Sequence, residues 1–110
     1  MRTYCLTLDL INDPELIREY EKYHQKIWPE VYASIKDSGI EKMQIYRFAN
    51  RLMMTMSVND AFSFEYKAAK DAANERVQEW EKLMWKYQQA LPGAKPGEKW
   101  MLMNLIFELE

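Results

Sequence analysis

Ile40-Glu41-Lys42-Met43-Gln44-Ile45-Tyr46-Arg47-Phe48-Ala49-Asn50-Arg51-Leu52-Met53-Met54-Thr55-Met56-Ser57-Val58 reads as two strands around a two-residue turn. In residues 40–48, Gln44, Tyr46 and Phe48 alternate with Met43, Ile45 and Arg47. In residues 51–58, Leu52, Met54, Met56 and Val58 alternate with Met53, Thr55 and Ser57. Successive side chains of a strand point to opposite faces, so this period of two predicts a hairpin turning at Ala49-Asn50. The hairpin sits in the middle of a 110-residue chain, and its flanks decide the architecture.

Upstream, residues 3–10 place Tyr4, Leu6, Leu8 and Leu10 on one face and Cys5, Thr7 and Asp9 on the other, which predicts a strand. Asn12-Asp13-Pro14-Glu15 then reads as a helix start: Asp13 can cap, Pro14 suits the first turn, and Glu15 favours the positive end of the dipole. Leu16, Tyr20, Tyr23, Ile27, Val31 and Ile35 recur every three to four residues. That spacing predicts a helix to about Ser38, kinked at Pro29 and ended by Gly39. Downstream, Asn59-Asp60 is expected to cap a helix from Phe62 to Ala72, and Asn74 a second piece. In that piece Val77, Trp80, Met84, Tyr87 and Leu91 form one stripe. After the loop Pro92-Gly93 and Pro96-Gly97, residues 99–109 read as a last strand. Met101, Met103, Leu105, Phe107 and Leu109 share one face of it; Trp100, Leu102, Asn104 and Ile106 share the other.

The order β-α-β-β-α-β predicts an α+β ferredoxin-like sandwich, one domain over residues 1–110. In such a fold the helices cover one sheet face. The last strand is apolar on both, so a second copy of the chain is expected to cover the other as a symmetric homodimer, a dimeric α/β barrel.

A formal charge of −2 and the lack of a basic block argue against nucleic-acid binding. No membrane-spanning run or signal peptide is visible, and the single cysteine, Cys5, fits a reducing compartment; the expected location is the cytoplasm. One histidine and one cysteine make a poor metal-ligand set, and Gly39, Gly93 and Gly97 look like turns rather than a phosphate loop. Neither metal nor cofactor is expected.

The chemistry concentrates in Tyr20-Glu21-Lys22-Tyr23-His24-Gln25-Lys26-Ile27-Trp28-Pro29-Glu30, which holds the only histidine. Tyr20 and His24 are one helical turn apart, on one face, beside a proline. A lone helix histidine is more commonly structural than catalytic. The sharper reading is a general acid or base, with nearby helix-end carbonyls favouring the protonated ring. Tyr20 could share its pocket, and Trp80 could be a flat platform for the apolar face of a sugar, although core packing is the commoner explanation of Tyr20 and at least as good a one for Trp80.

The block Tyr20-x-x-x-His24-x-x-Ile27-Trp28-Pro29-Glu30, followed by Ile45-Tyr46 and Val77-Gln78-Glu79-Trp80 with Lys82 and Met84, resembles the L-rhamnose mutarotase family over nearly the whole chain. The resemblance implies a homodimeric ferredoxin-like fold and cofactor-free interconversion of sugar anomers. It implies that His24 is the catalytic acid, that Tyr20 contacts the sugar, and that Trp80 is the family's tryptophan of the second helix. Two positions depart from the rhamnose pattern. Met43 stands where that pattern has a sugar-contacting tyrosine, and Glu81 where it has a second tryptophan. Both are expected to line the pocket, with L-rhamnose or L-fucose as substrate. A non-catalytic ligand-binding or regulatory dimer and a small cofactor-free monooxygenase are the alternatives on the same fold.

Overall fold

The computed structural model describes residues 2–109. Strand β1 (Arg2–Leu10) leads, through Asp13, into helix α1 (Pro14–Gln25). The Asp13 carboxylate accepts from the amides of Glu15 and Leu16, as the cap reading required. Helix α2 spans Pro29–Asp37. The expected kinked helix is therefore two helices separated by extended backbone at Lys26 (ψ 91°) and Trp28 (ψ 138°). Proline is the cause: its ring drives the preceding residue out of the helical region, and at the first position of α2 its missing N–H costs nothing. Gly39 ends α2 with φ +101°, and a Cβ there would lie 2.5 Å from Asn59 Oδ1, so only glycine fits.

The hairpin is formed as read, by β2 (Ile40–Phe48) and β3 (Arg51–Val58), with one bulge between Ile40 and Lys42. Ala49 turns it at φ +53°. Strand β3 also pairs antiparallel with β1 from Arg2↔Val58 to Asp9↔Arg51, where the Arg51 guanidinium donates twice to the Asp9 carboxylate. Helix α3 (Phe64–Ala72) starts later than expected: Ser63 caps it, while Asn59 instead holds the turn amide of Ala61. Helix α4 (Glu75–Met84) is capped by Asn74 as read. Two further strands, β4 (Gln88–Gln89) and β5 (Met101–Leu102), both pair with β1, giving the order β2-β3-β1-β4 with β5 beside β1. The helical stripe read through Tyr87 and Leu91 stops at Met84, and the chain turns to enter β4 where more helix was expected.

Leu6, Leu8 and Leu10 of β1 and Leu52, Met56 and Val58 of β3 are buried against the helices, which places the core on the predicted sheet face. Two corrections concern the last segment. Only Met101–Leu102 forms a strand, not residues 99–109: after the Met103 amide donates to the Cys5 carbonyl the tail leaves β1, whose residues 2–4 pair with β3 alone. Leu105, Ile106, Phe107 and Leu109 are exposed in consequence. Trp100, expected on the outer face, turns inward from a bend before β5 and packs on both parts of the core.

Candidate active site

Between the sheet and the helices lies a cavity of about 500 Å³. Tyr20 and His24 of α1, Met43 of β2, and Trp80 and Glu81 of α4 all line it. Five residues singled out on three elements thus meet at one place.

His24 lies in the last turn of α1, half-buried. Its Nδ1 is 2.8 Å from the Tyr20 carbonyl oxygen. A carbonyl only accepts, so Nδ1 carries the proton and donates, and Nε2 keeps its lone pair. Two rings hold the imidazole in place: Tyr20, with centroids 4.3 Å apart, and Trp80, edge-on at 5.6 Å. Burial pushes the His24 pKa below its ordinary 6.5, outweighing the opposite pull of the Tyr20 carbonyl. This corrects the expectation that helix-end carbonyls favour the imidazolium. At neutral pH the ring is uncharged and presents a base.

Tyr20 is buried, and its hydroxyl accepts from Gln88 Nε2 at 3.4 Å. Burial foremost, with the Glu81 carboxylate adding to it, pushes the phenol up to about 12, so it stays protonated. Trp80 is no open platform. It stands edge-on to Trp28, Tyr23 and His24, and so supports the histidine while closing the cavity. Met43 contributes an apolar wall. Glu81 is ion-paired: its carboxylate lies 2.6 Å from Lys99 Nζ, which also donates to the Glu81 carbonyl at 3.1 Å.

Lys99 and Gln88 also line the cavity, and sequence reasoning missed both. Lys99 opens the expected last strand and Gln88 lies off the apolar stripe read through Leu91, so neither stands out in the pattern; the return of the chain along β1 brings both to the site. A second ammonium, Lys67, sits at the cavity too, tied to Asp71, which also accepts from Ser34. Among the described residues, no three His, Cys, Asp or Glu side chains gather as a metal-ligand group. No helix among the described residues is long and apolar enough to cross a membrane.

Fold and site together define a ferredoxin-like α+β protein with a neutral histidine inside a cavity of mixed aromatic and polar lining. The family model described as L-rhamnose mutarotase matches residues 3–109. An L-fucose mutarotase of Xanthomonas campestris is 46% identical over 111 residues, covering 99% of this chain and 89% of that one. An L-rhamnose mutarotase of Klebsiella pneumoniae is 30% identical over 84 residues, covering 76% and 75%. The crystal structure of an L-rhamnose mutarotase from Formosa agariphila covers both chains fully at TM-score 0.72 and 22% identity. The chain belongs to the L-rhamnose mutarotase family, and with it to the sugar-mutarotase isomerases.

Proposed function

We propose that this protein interconverts the α and β anomers of L-fucose. The observation that carries the reading is His24: the one imidazole in the chain, its Nδ1 proton fixed on the Tyr20 carbonyl, its Nε2 free at a cavity. Support for fucose over rhamnose comes from the higher identity and fuller coverage of the L-fucose mutarotase. Met43 and Glu81 support it too, since they replace two aromatic contacts of the rhamnose pattern.

Anomers exchange through the open-chain aldehyde. His24 Nε2 takes the proton of the anomeric hydroxyl as the bond from C1 to the ring oxygen breaks. The ring oxygen takes a proton from an acid, and Lys99 fills that role here. It is the cavity ammonium attached to Glu81, the neighbour in sequence of the tryptophan that packs on His24. After rotation about C1–C2 the steps reverse: His24 returns its proton to O1 and the Lys99 amine recovers its own. His24, the acid of the sequence reading, is thus the base of opening and the acid of closure. Groups of this kind each contribute on the order of 10²–10⁴-fold. Tyr20 and Glu81 bind hydroxyls, Met43 lies against the apolar face and C6 methyl, and Trp80 holds His24 and closes the cavity behind it.

The exposed apolar tail from Leu105 to Leu109 supports a homodimer in which it adds to the sheet of a second copy. Free, half-buried Cys5 fits a cytoplasmic location. The test is NMR magnetisation exchange between anomers of equilibrated L-fucose, L-rhamnose and D-glucose, with and without protein. Acceleration should be largest for L-fucose. Unchanged exchange for every sugar would refute the activity, and a preference for L-rhamnose would refute the substrate.

A further inference from the structure

Gln88 is 6% exposed and lies at the start of β4, where its backbone pairs with Leu10. Its side chain lines the cavity, and its Nε2 donates to the Tyr20 hydroxyl. Its Oε1 is buried without a partner, and among the described residues it is the one buried side-chain oxygen or nitrogen so placed. A buried carbonyl left without a donor costs stability, and native structures keep such groups where something outside the chain completes them.

We infer that Gln88 is a substrate-binding residue, whose amide and the Tyr20 hydroxyl together read two neighbouring hydroxyls of the sugar ring. This rests on the proposed sugar site. The hydrogen-bond inventory favours it. Because Tyr20 accepts from Gln88, its own O–H is free to donate into the cavity, and Gln88 Oε1 is free to accept. The couple therefore presents the Tyr20 O–H as a donor and Gln88 Oε1 as an acceptor. Rotating the amide by half a turn still leaves both kinds of group: Tyr20 then donates to Oε1, the tyrosine oxygen keeps a free lone pair as acceptor, and the Gln88 NH₂ supplies the donors. A sugar hydroxyl both donates and accepts, so two adjacent hydroxyls complete the couple in either state. The protonated phenol required on Tyr20 agrees with its burial. An aldose with adjacent ring hydroxyls is the class of ligand that fits, and removal of either hydroxyl should be felt.

The experiment compares Gln88→Met, nearly the same volume without the amide, and Gln88→Asn, an amide withdrawn by one methylene. KM is read from the concentration dependence of L-fucose exchange, beside each variant's melting temperature. Both variants should raise KM by about threefold to tenfold, the loss of one or two hydrogen bonds. Gln88→Met should melt no lower than wild type, since it removes an unpaired buried group. KM within twofold of wild type in the folded variants would overturn the inference, the more so with a lowered melting temperature, the mark of a structural residue. Should Gln88→Met not fold, KM of Gln88→Asn decides alone by the same bounds. A wild-type protein inert toward every sugar refutes the site reading and this inference with it. An active wild type with unaltered Gln88 variants refutes this inference alone.

Discussion

Ile106→Asp separates a free tail from one that belongs to a partner. In the single chain Ile106 is 94% exposed, with Leu105 at 77%, Phe107 at 73% and Leu109 at 86%. Were the chain a monomer, replacing so exposed a side chain would change folding stability by no more than about 0.5 kcal/mol. If instead a second copy covers the tail, Ile106 contributes about 1.5–3 kcal/mol of burial, and symmetry counts it twice. The substitution then removes roughly 3–6 kcal/mol of association energy, before the cost of burying a carboxylate. At 1.4 kcal/mol per factor of ten, the dimer dissociation constant should rise at least about 100-fold. Sedimentation velocity across a micromolar concentration series reads this directly. The wild type should run as a dimer and Ile106→Asp should shift to monomer with its circular dichroism intact. A monomeric wild type, or an Ile106→Asp protein that dimerises as before, would refute the reasoning.

Three shorter predictions follow from the same structure. Gly39→Ala combines a positive φ with a clash at 2.5 Å against Asn59, and should cost about 2 kcal/mol or more in urea unfolding; a loss under 0.5 kcal/mol would show that the α2–β2 junction relaxes freely. Because burial lowers the His24 pKa and the neutral ring is the base, kcat/KM should hold at neutral pH and fall only below pH 6.5. The linked stability has the same sign: it is full above the unfolded value near 6.5 and is lost as pH falls through the folded value, because the unfolded chain takes up the proton first. A rate that rises on acidification would contradict both. Lys99 is 12% exposed and Glu81 42%, between the surface and buried cases, so Lys99→Met should cost about 1–2 kcal/mol of stability and roughly 100-fold in exchange. Lys99→Arg should restore the melting temperature but not the rate, since guanidinium is too weak an acid; wild-type exchange in either variant would remove Lys99 from the chemistry.

The hairpin and β1 were legible because strands with one buried face write their register as a period of two, and Leu6, Leu8 and Leu52 obey it. Asp13 and Asn74 were legible because a cap is a local event. The break between α1 and α2 was legible in part: Pro29 marks it and drives Trp28 out of helical angles, but Tyr23, Ile27 and Val31 keep the helical spacing of apolar residues and hide the extended backbone at Lys26. Residues 103–109 show the opposite failure. Their apolar pattern is that of a strand, yet after Met103 the chain leaves β1 although the edge of β1 ahead of it is open; alternation records which faces are apolar, not which neighbour a segment finds. At the site, Tyr20 and His24 could be paired from their spacing, and the resemblance pointed to Met43, Trp80 and Glu81. Their meeting at one cavity, and the arrival there of Gln88 and Lys99, depend on contacts far apart in sequence that no local pattern encodes. The charge state of His24 depended on burial, which the helix-end argument could not weigh.

The central claim is that His24 moves the proton of the anomeric hydroxyl. Anomer exchange of L-fucose, measured by NMR on wild type and His24→Ala at matched folded concentration, tests it most directly. The account predicts that exchange falls about 100-fold or more in a variant whose melting transition remains cooperative. A folded His24→Ala protein that accelerates exchange as the wild type does would contradict it.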